Sequence, residues 1–342
     1  MNPRPVLRCG MRRQNILILG GGIAGLAAAG ELARGGRHVT LLEAGHRLGG
    51  RILTAGSGAA PVELGAEFIH GGNQEFWRIL KVSGLKTTRV PNRFHRWENG
   101  RLRRTDLWNE VEKVMAQIDP QKPDQSFARF LEGKKFSAAT KRLAMDFVEG
   151  FDAADPRKIG VRGLAAGGEE EPDDPGAHQF RIRRGYSALI DFLERQARRH
   201  GVTIKRDCAA NTIAWKTGRV QVGAVDQGRK RSFEAHAAVV TLPLGVLKAG
   251  RVRFQPALPE KEEAIARLEF GNVIKVVLRF KKVFWRERNF GFVVTADESI
   301  PTWWSDDRGI LLTGWAGGPK ADRISQWPRT RLKTIALQIL SR

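Results

Sequence analysis

The sequence predicts an α/β fold, with a Rossmann-like nucleotide-binding domain interleaved with a second, α+β domain. Three observations near the N-terminus predict it. Ile16 to Leu19 is a short apolar run of the length of a buried parallel strand. The alanine-rich segment Leu26 to Arg34 has high helix propensity, and Gly35-Gly36 stops it. Val39-Thr40-Leu41-Leu42 then reads as a second strand that ends at Glu43. A βαβ unit results, with G-x-G-x-x-G, as Gly20, Gly22 and Gly25, between its first strand and its helix.

The motif has a physical reading at each position. Gly20 permits a tight turn, Gly22 lets backbone approach a pyrophosphate, and Gly25 allows the helix to pack closely on the strand. Ile23 and Ala24 open the helix, where free N–H groups and the helix dipole favour phosphate. Glu43 lies 18 residues beyond Gly25, where an acid accepts hydrogen bonds from a ribose 2′-OH and repels a 2′-phosphate, which disfavours NADP. A glycine turn of purely structural origin is the competing reading. The strand before it, the helix after it and the acid at the right distance favour a dinucleotide site.

At 342 residues the chain exceeds a typical single domain, so two lobes are expected, and 42% apolar residues suffice for a core. The net charge of +22 raises nucleic acid as a partner. The basic residues are dispersed, however, with short clusters only at Arg101 to Arg104 and Arg229 to Arg231, and no nucleic-acid module is readable. No run has the length of a membrane span. Cys9 and Cys208 have no metal spacing, the seven histidines are scattered, and no metal site is predicted. Two cysteines without a disulfide framework suit a reducing compartment, and the cytoplasm is the expected location.

Arg47-Leu48-Gly49-Gly50-Arg51 follows the ribose acid directly, and R-x-G-G-R in that place resembles the flavin-containing amine oxidase family. Physically, two more glycines let backbone pass close to a cofactor, and Arg51 offers a planar fork to phosphate. The resemblance continues through Pro61 to Gly72, where Val62, Leu64 and Ala66 alternate like a strand. In the family this segment runs beneath the flavin ring, which implies that Gly65-Ala66 touches the flavin and that Glu67 and His70 face the substrate. A sheet strand with one exposed acid and a capping histidine is the plainer alternative.

The next elements follow from periodicity. Asn73 to Leu85 reads as a helix with Phe76, Ile79, Leu80 and Val82 on one side, and Arg89 to Arg104 as a hairpin turning at Asn99-Gly100. From Thr105 to Gly150 apolar residues recur at helix spacing, as core. The acidic run Glu169-Glu170-Glu171, Asp173 and Asp174 sits among prolines and reads as a solvated loop. Phe180 to Arg183 is a short strand, Ser187 to His200 a helix, Val202 to Ile204 a strand, and Thr212 to Val222 a hairpin around Thr217-Gly218. The resemblance places Ala210 at the adenine edge, through main chain, where valine is more usual.

Ala237 to Leu247 reads as a buried strand to Thr241, broken by Pro243, and T-L-P-L-G-V-L closely resembles a family signature. Lys275 is a charge near the start of the apolar strand Val273 to Phe280, and a charge there needs a reason. G-x-x-x-K at Gly271 and Lys275, with Phe284-Trp285 after it, matches the family's lysine that holds a water at the flavin. A lysine snorkelling from a strand end is the alternative. Arg329 to Arg342 forms an amphipathic helix.

The resemblance implies a glutathione-reductase-type FAD-binding domain over 12–75 and 179–255, and a substrate domain over 76–178 and 256–342. It implies a polyamine-oxidase-like enzyme that takes a hydride from an amine and returns electrons to oxygen as hydrogen peroxide. Other FAD oxidases or desaturases of the same fold are the alternative, as is an inactive protein. The family's later motifs, an aspartate-proline pair and an F-A-G-E-like strand among them, do not appear, so the C-terminal part of the fold is expected to be missing. With Tyr186 the only tyrosine, no tyrosine cage is available.

Overall fold

A computed structural model describes residues 14–56, 61–98, 100–166, 178–285, 290–295, 298–306 and 310–342. The chain divides into two units, Met1–Ala66 with Arg184–Leu268, and Glu67–Arg183 with Glu269–Arg342. The sequence reading drew the crossings at 75, 178 and 255. The units change over at 66, 183 and 268, with Ile69 and Phe180, bridged to each other, both in the second unit.

The first unit is built on a parallel four-stranded sheet in the order Ala237–Val240, Asn15–Leu19, His38–Leu42, Thr203–Lys205. Leu17, Ile18 and Leu19 are almost wholly buried, as a central parallel strand requires. The helix Ile23–Arg34 packs on the helix Ser187–Arg199, and Leu26, Ala29, Leu189 and Ile190 are buried on them. A second sheet, Arg229–Ala235, Arg219–Asp226, Cys208–Lys216, Arg253–Gln255, lays one face on the first. In Arg219–Asp226 only Val220, Val222 and Ala224 are buried, the alternation of a one-sided sheet. These valines join Leu17, Leu19, Leu42 and Ile213 in one core, where each fully buried side chain contributes about 1.5–3 kcal/mol.

Ala237–Val240 departs from expectation. It is an edge strand, half-exposed along its length, and it ends one residue before Thr241. Thr241 instead donates its hydroxyl to the Leu19 carbonyl at 2.9 Å. The stretch Pro61 to Gly72 is likewise not one strand. Within it Val62–Glu63 pairs with Thr54–Ala55, Ile69 makes an isolated bridge to Phe180, and Leu64 is exposed.

The second unit carries a six-stranded sheet in the order Val273–Arg279, Leu311–Gly317, Thr302–Ser305, Phe292–Thr295, Phe94–Glu98, Arg101–Thr105. The last two strands form the predicted hairpin through Gly100, with Asn99 outside the described residues. Arg89 does not belong to that hairpin; it ends the short strand Thr87–Arg89, which pairs with Phe180–Ile182. The helices are Gln74–Ser83, Leu107–Met115, Phe127–Glu132, Ala138–Phe151, Val161–Ala166, Gly318–Ile324 and Arg329–Leu340. On Gln74–Ser83 Leu80 is buried and Phe76, Trp77 and Ile79 are half-buried. Val82 is 63% exposed, because 3.6-residue periodicity carries it off the face of Leu80. The last helix buries Ala336 and Ile339 against Ile300, Trp303 and Leu312. Cys9 and the acidic run at 169–174 lie outside the described residues.

Helix starts follow local chemistry. The side chains of Asn73, Asp106, Ser126 and Ser137 each accept a hydrogen bond from a backbone N–H three residues on. Ser137→Ala is expected to cost about 1 kcal/mol, read as a lowered urea midpoint with unchanged slope. A midpoint equal to the parent's contradicts the capping role.

Candidate active site

In the first unit the glycine loop forms a cradle. A Cβ on Gly25 would stand 1.9 Å from the Gly20 carbonyl oxygen, so helix and strand approach as only glycine allows. Gly22 caps the helix without a side-chain bond, and a Cβ on it would meet nothing within 4 Å. The helix therefore begins on open space, with its first N–H groups uncapped by any side chain. Glu43 closes the cradle: its carboxylate accepts from the Gly21 N–H at 2.6 Å and the Gly45 N–H at 2.7 Å. Its backbone is held by Lys205 and Cys208 of the neighbouring strands.

Arg47 braces the following loop by donating to the Leu48, Gly50 and Ile52 carbonyls. Arg51 is exposed, and among the described residues its guanidinium forms no ion pair. Gly65 has a local reason to be glycine, since its Cβ would lie 2.1 Å from the Arg51 carbonyl oxygen. Ala66 donates its N–H to that same oxygen at 3.2 Å. Ala210 is half-buried in the strand Cys208–Lys216, beside a bulge between Ala210 and Thr212.

The second unit gathers a buried charge cluster from four separate segments. Glu67 is 8% exposed. Its Oε1 accepts from Arg181 Nε at 2.8 Å and Trp304 Nε1 at 3.0 Å, and its Oε2 from Lys275 Nζ at 2.7 Å. Arg181 also donates to the Ser305 carbonyl at 3.2 Å and lies over the Phe68 ring, 4.8 Å from its centroid. Lys275 lies 5.7 Å from the Trp304 ring centroid. Burial raises the pKa of the Glu67 carboxyl, but the Lys275 ammonium and the Arg181 guanidinium outweigh it and hold the group below its ordinary value. The carboxylate that the sequence reading set facing the substrate carries three donors of the chain itself.

His70 lies on the exposed side of this loop, edge-on to Phe68 at 5.9 Å and to Phe151 at 5.6 Å. Partial desolvation lowers its pKa. Gly271 has a packing reason for its identity, since a Cβ there would stand 1.7 Å from the Ala153 carbonyl oxygen. Sequence reasoning missed Arg181 and Trp304. For Arg181 a signal was present: a guanidinium between Phe180 and Ile182 on a short strand needs a buried partner. Among the described residues no group of His, Cys, Asp and Glu is placed to hold a metal, and no helix is long and apolar enough to cross a membrane.

Residues 23–342 match the model of the flavin containing amine oxidoreductase family. The chain belongs to that family. It is 32% identical over 313 residues to polyamine oxidase 3 of Oryza sativa subsp. japonica, covering 82% of this chain and 62% of the relative. It is 30% identical to polyamine oxidase 2 of Arabidopsis thaliana, covering 83% of this chain and 62% of that protein. The chain therefore spans less than two thirds of the length of these relatives. Its fold is that of cyclohexylamine oxidase from Brevibacterium oxydans IH-35A, with a TM-score of 0.78 at 21% identity, covering 96% of this chain and 80% of that one. The family's flavin is a dinucleotide, and the cradle fits it: the open helix start at Gly22 suits a pyrophosphate and the Glu43 carboxylate a ribose.

Proposed function

We propose that this chain is an FAD-dependent amine oxidase acting on polyamine-type amines, with oxygen as the electron acceptor and hydrogen peroxide as a product. The observation that carries the reading is the glycine cradle closed by Glu43, in a chain of the flavin-containing amine oxidoreductase family. When bound, FAD supplies the acceptor for a hydride equivalent from the amine carbon and the route of the electrons to oxygen.

The residues divide the work of holding it. Gly20, Gly22 and Gly25, with Ile23 and Ala24, hold the pyrophosphate at the helix start, and Glu43 holds the ribose. Arg51 pairs with phosphate, Ala210 meets the adenine edge through main chain, and Gly65-Ala66 runs beneath the flavin ring. His70 faces the amine. Lys275 orients the water used in the chemistry, and the aromatic surroundings of its ammonium limit solvent access. The cytoplasm is the proposed location, with no nucleic-acid partner.

Purified chain given FAD should show the visible band of oxidised flavin and bleach anaerobically with spermidine or spermine. A chain that stays colourless with added FAD, or that bleaches only with a polyene or tricyclic substrate, overturns the reading. Lys275→Met should slow turnover or reoxidation by about 100-fold, the scale of a lost proton-handling group, with FAD still bound. Unchanged kinetics would remove Lys275 from the mechanism.

A further inference from the structure

Asp152 is a carboxylate in a costly place. It is the C-cap of the helix Ala138–Phe151, where the negative end of the helix dipole disfavours an anion. The residue is open to solvent, yet the protein around it desolvates the carboxyl and pushes it up to about 6. Among the described residues no hydrogen bond or charge offsets that rise. A group both reachable and desolvated lines a recess. Its lack of a partner is unexpected in a chain of 58 basic and 36 acidic residues. The acids around it are engaged: Asp146 and Glu149 hold Lys320, Asp155 holds Arg157, and Asp322 accepts from Asn272.

The turn that carries Asp152 is tightly held. Ala153 follows it at φ +53°, in the left-handed region that favours glycine. Backbone packing fixes the turn: a Cβ on Gly271 would stand 1.7 Å from the Ala153 carbonyl oxygen, and one on Gly317 3.2 Å from the Ala153 Cα. Gly317 pairs with Val273, two residues before Lys275. Trp315, the register partner of Lys275, donates its indole N–H to the Gly150 carbonyl at 2.7 Å. The Asp152 turn therefore lies at the end of the strand pair that carries Lys275. Aromatic rings join the two places. Phe151, 49% exposed, is edge-on to His70 at 5.6 Å, and His70 to Phe68 at 5.9 Å. Phe68 lies 5.3 Å from Trp304, the ring beside the Lys275 ammonium. An unpaired carboxylate next to an exposed ring is suited to an alkylammonium ion.

We propose that Asp152, with Phe151 beside it, takes the second ammonium of a di- or polyamine substrate and so makes the chain prefer polycationic amines to monoamines. This rests on the amine oxidase reading, in which His70 faces the amine. Asp152 acts on binding and not on the bond that breaks, so it belongs in KM and not in kcat. The charges on the elements packed against its helix are Lys320, Asp322 and Arg323 on Gly318–Ile324, Glu110, Glu112 and Lys113 on Leu107–Met115, and Arg129 and Glu132 on Phe127–Glu132. The strand Leu311–Gly317 brings none, and Glu269, in the loop before Gly271, is paired with Lys158. None of these groups bonds to Asp152.

In flavin-loaded Asp152→Asn the KM for spermidine should rise at least about tenfold, the scale of one charge-assisted hydrogen bond, with kcat within about twofold of the parent. The KM for dibutylamine, which carries a single charge, should stay, and Asp152→Glu should restore most of the preference for spermidine. In the parent that preference should weaken as pH falls through about 6, and in Asp152→Asn it should not change there. An unmoved spermidine KM, or equal effects on both amines, overturns the assignment and leaves the amine oxidase reading standing. A parent that oxidises neither amine removes that reading. The assignment is then decided in flavin-free chain by the NMR titration of the Asp152 carboxyl carbon, whose midpoint spermidine should lower; an unmoved midpoint overturns it. Stability gives a separate check. A carboxyl raised in the fold contributes stability below its unfolded value, about 3.9, that is lost as pH rises through about 6. Asp152→Asn should thus be at least as stable as the parent at neutral pH, and a lowered urea midpoint would give the carboxylate a structural role instead.

Discussion

Glu67→Ala is expected to lower the stability of the second unit by about 3–5 kcal/mol at neutral pH, the range for removing one partner of a buried ion pair. The cost comes from what is left behind. Lys275 and Arg181 would lose the carboxylate between them on buried positions, and the Trp304 indole N–H would lose its acceptor. Glu67→Gln keeps an acceptor for Trp304 and should cost less. Replacing Glu67, Arg181 and Lys275 together by apolar residues of similar volume should recover most of the loss, because the desolvation of three charges disappears with them. The sign with pH follows from the depressed folded pKa of Glu67. A carboxyl lowered in the fold contributes stability that is fully present above its unfolded value, about 4.3. That contribution is lost as pH falls through the folded value. The gap between parent and Glu67→Ala should therefore be full at neutral pH and close on acidification below about pH 4. Urea midpoints at several pH values read it directly. A gap as wide in acid as at neutrality would mean that packing, and not charge, holds the cluster.

What was legible in advance was whatever the chain encodes locally. The βαβ unit reads from an apolar run, a glycine motif and an alanine-rich helix, all within residues that contact one another in the fold. Lys275 was legible as a charge in an apolar strand, since burying an ammonium demands a partner. Which partner was not legible: Glu67 is 208 residues away, and its other contacts, Arg181 and Trp304, lie 114 and 237 residues from it. The family resemblance aimed Glu67 at the substrate, and only the tertiary arrangement shows three donors already on its oxygens. The same limit explains Gly65 and Gly271. Both suggested close approach to a cofactor or a motif, and both are also required by backbone carbonyls of the chain itself, at Arg51 and Ala153. Ala237–Val240 was misjudged as buried because an apolar run does not say whether it lies inside a sheet or at its edge.

Two glycines within six positions of the first strand separate fold from ligand in a single experiment. Gly25→Ala puts a methyl group 1.9 Å from the Gly20 carbonyl oxygen and 2.9 Å from the Thr241 hydroxyl oxygen. The nearest obstacle is backbone, so the helix Ile23–Arg34 must back away from the strand it packs on. A cost of about 3 kcal/mol or more is expected, at the upper end for overpacking. FAD binding should fall with it, because the helix N-terminus moves. Gly22→Ala meets nothing within 4 Å, and the residue sits at φ −74° and ψ −177°, extended backbone that alanine adopts freely. Its stability should stay within about 1 kcal/mol of the parent, the usual cost of an alanine N-cap. The new methyl group nonetheless stands in the open space at the helix start, where a pyrophosphate must come against backbone. FAD should then bind at least tenfold more weakly, about 1.4 kcal/mol, measured by quenching of flavin fluorescence on titration with the folded variant. Parent-like affinity in Gly22→Ala would move the phosphates away from this helix. Parent-like stability in Gly25→Ala would mean that the close approach of strand and helix is not what the third glycine is for.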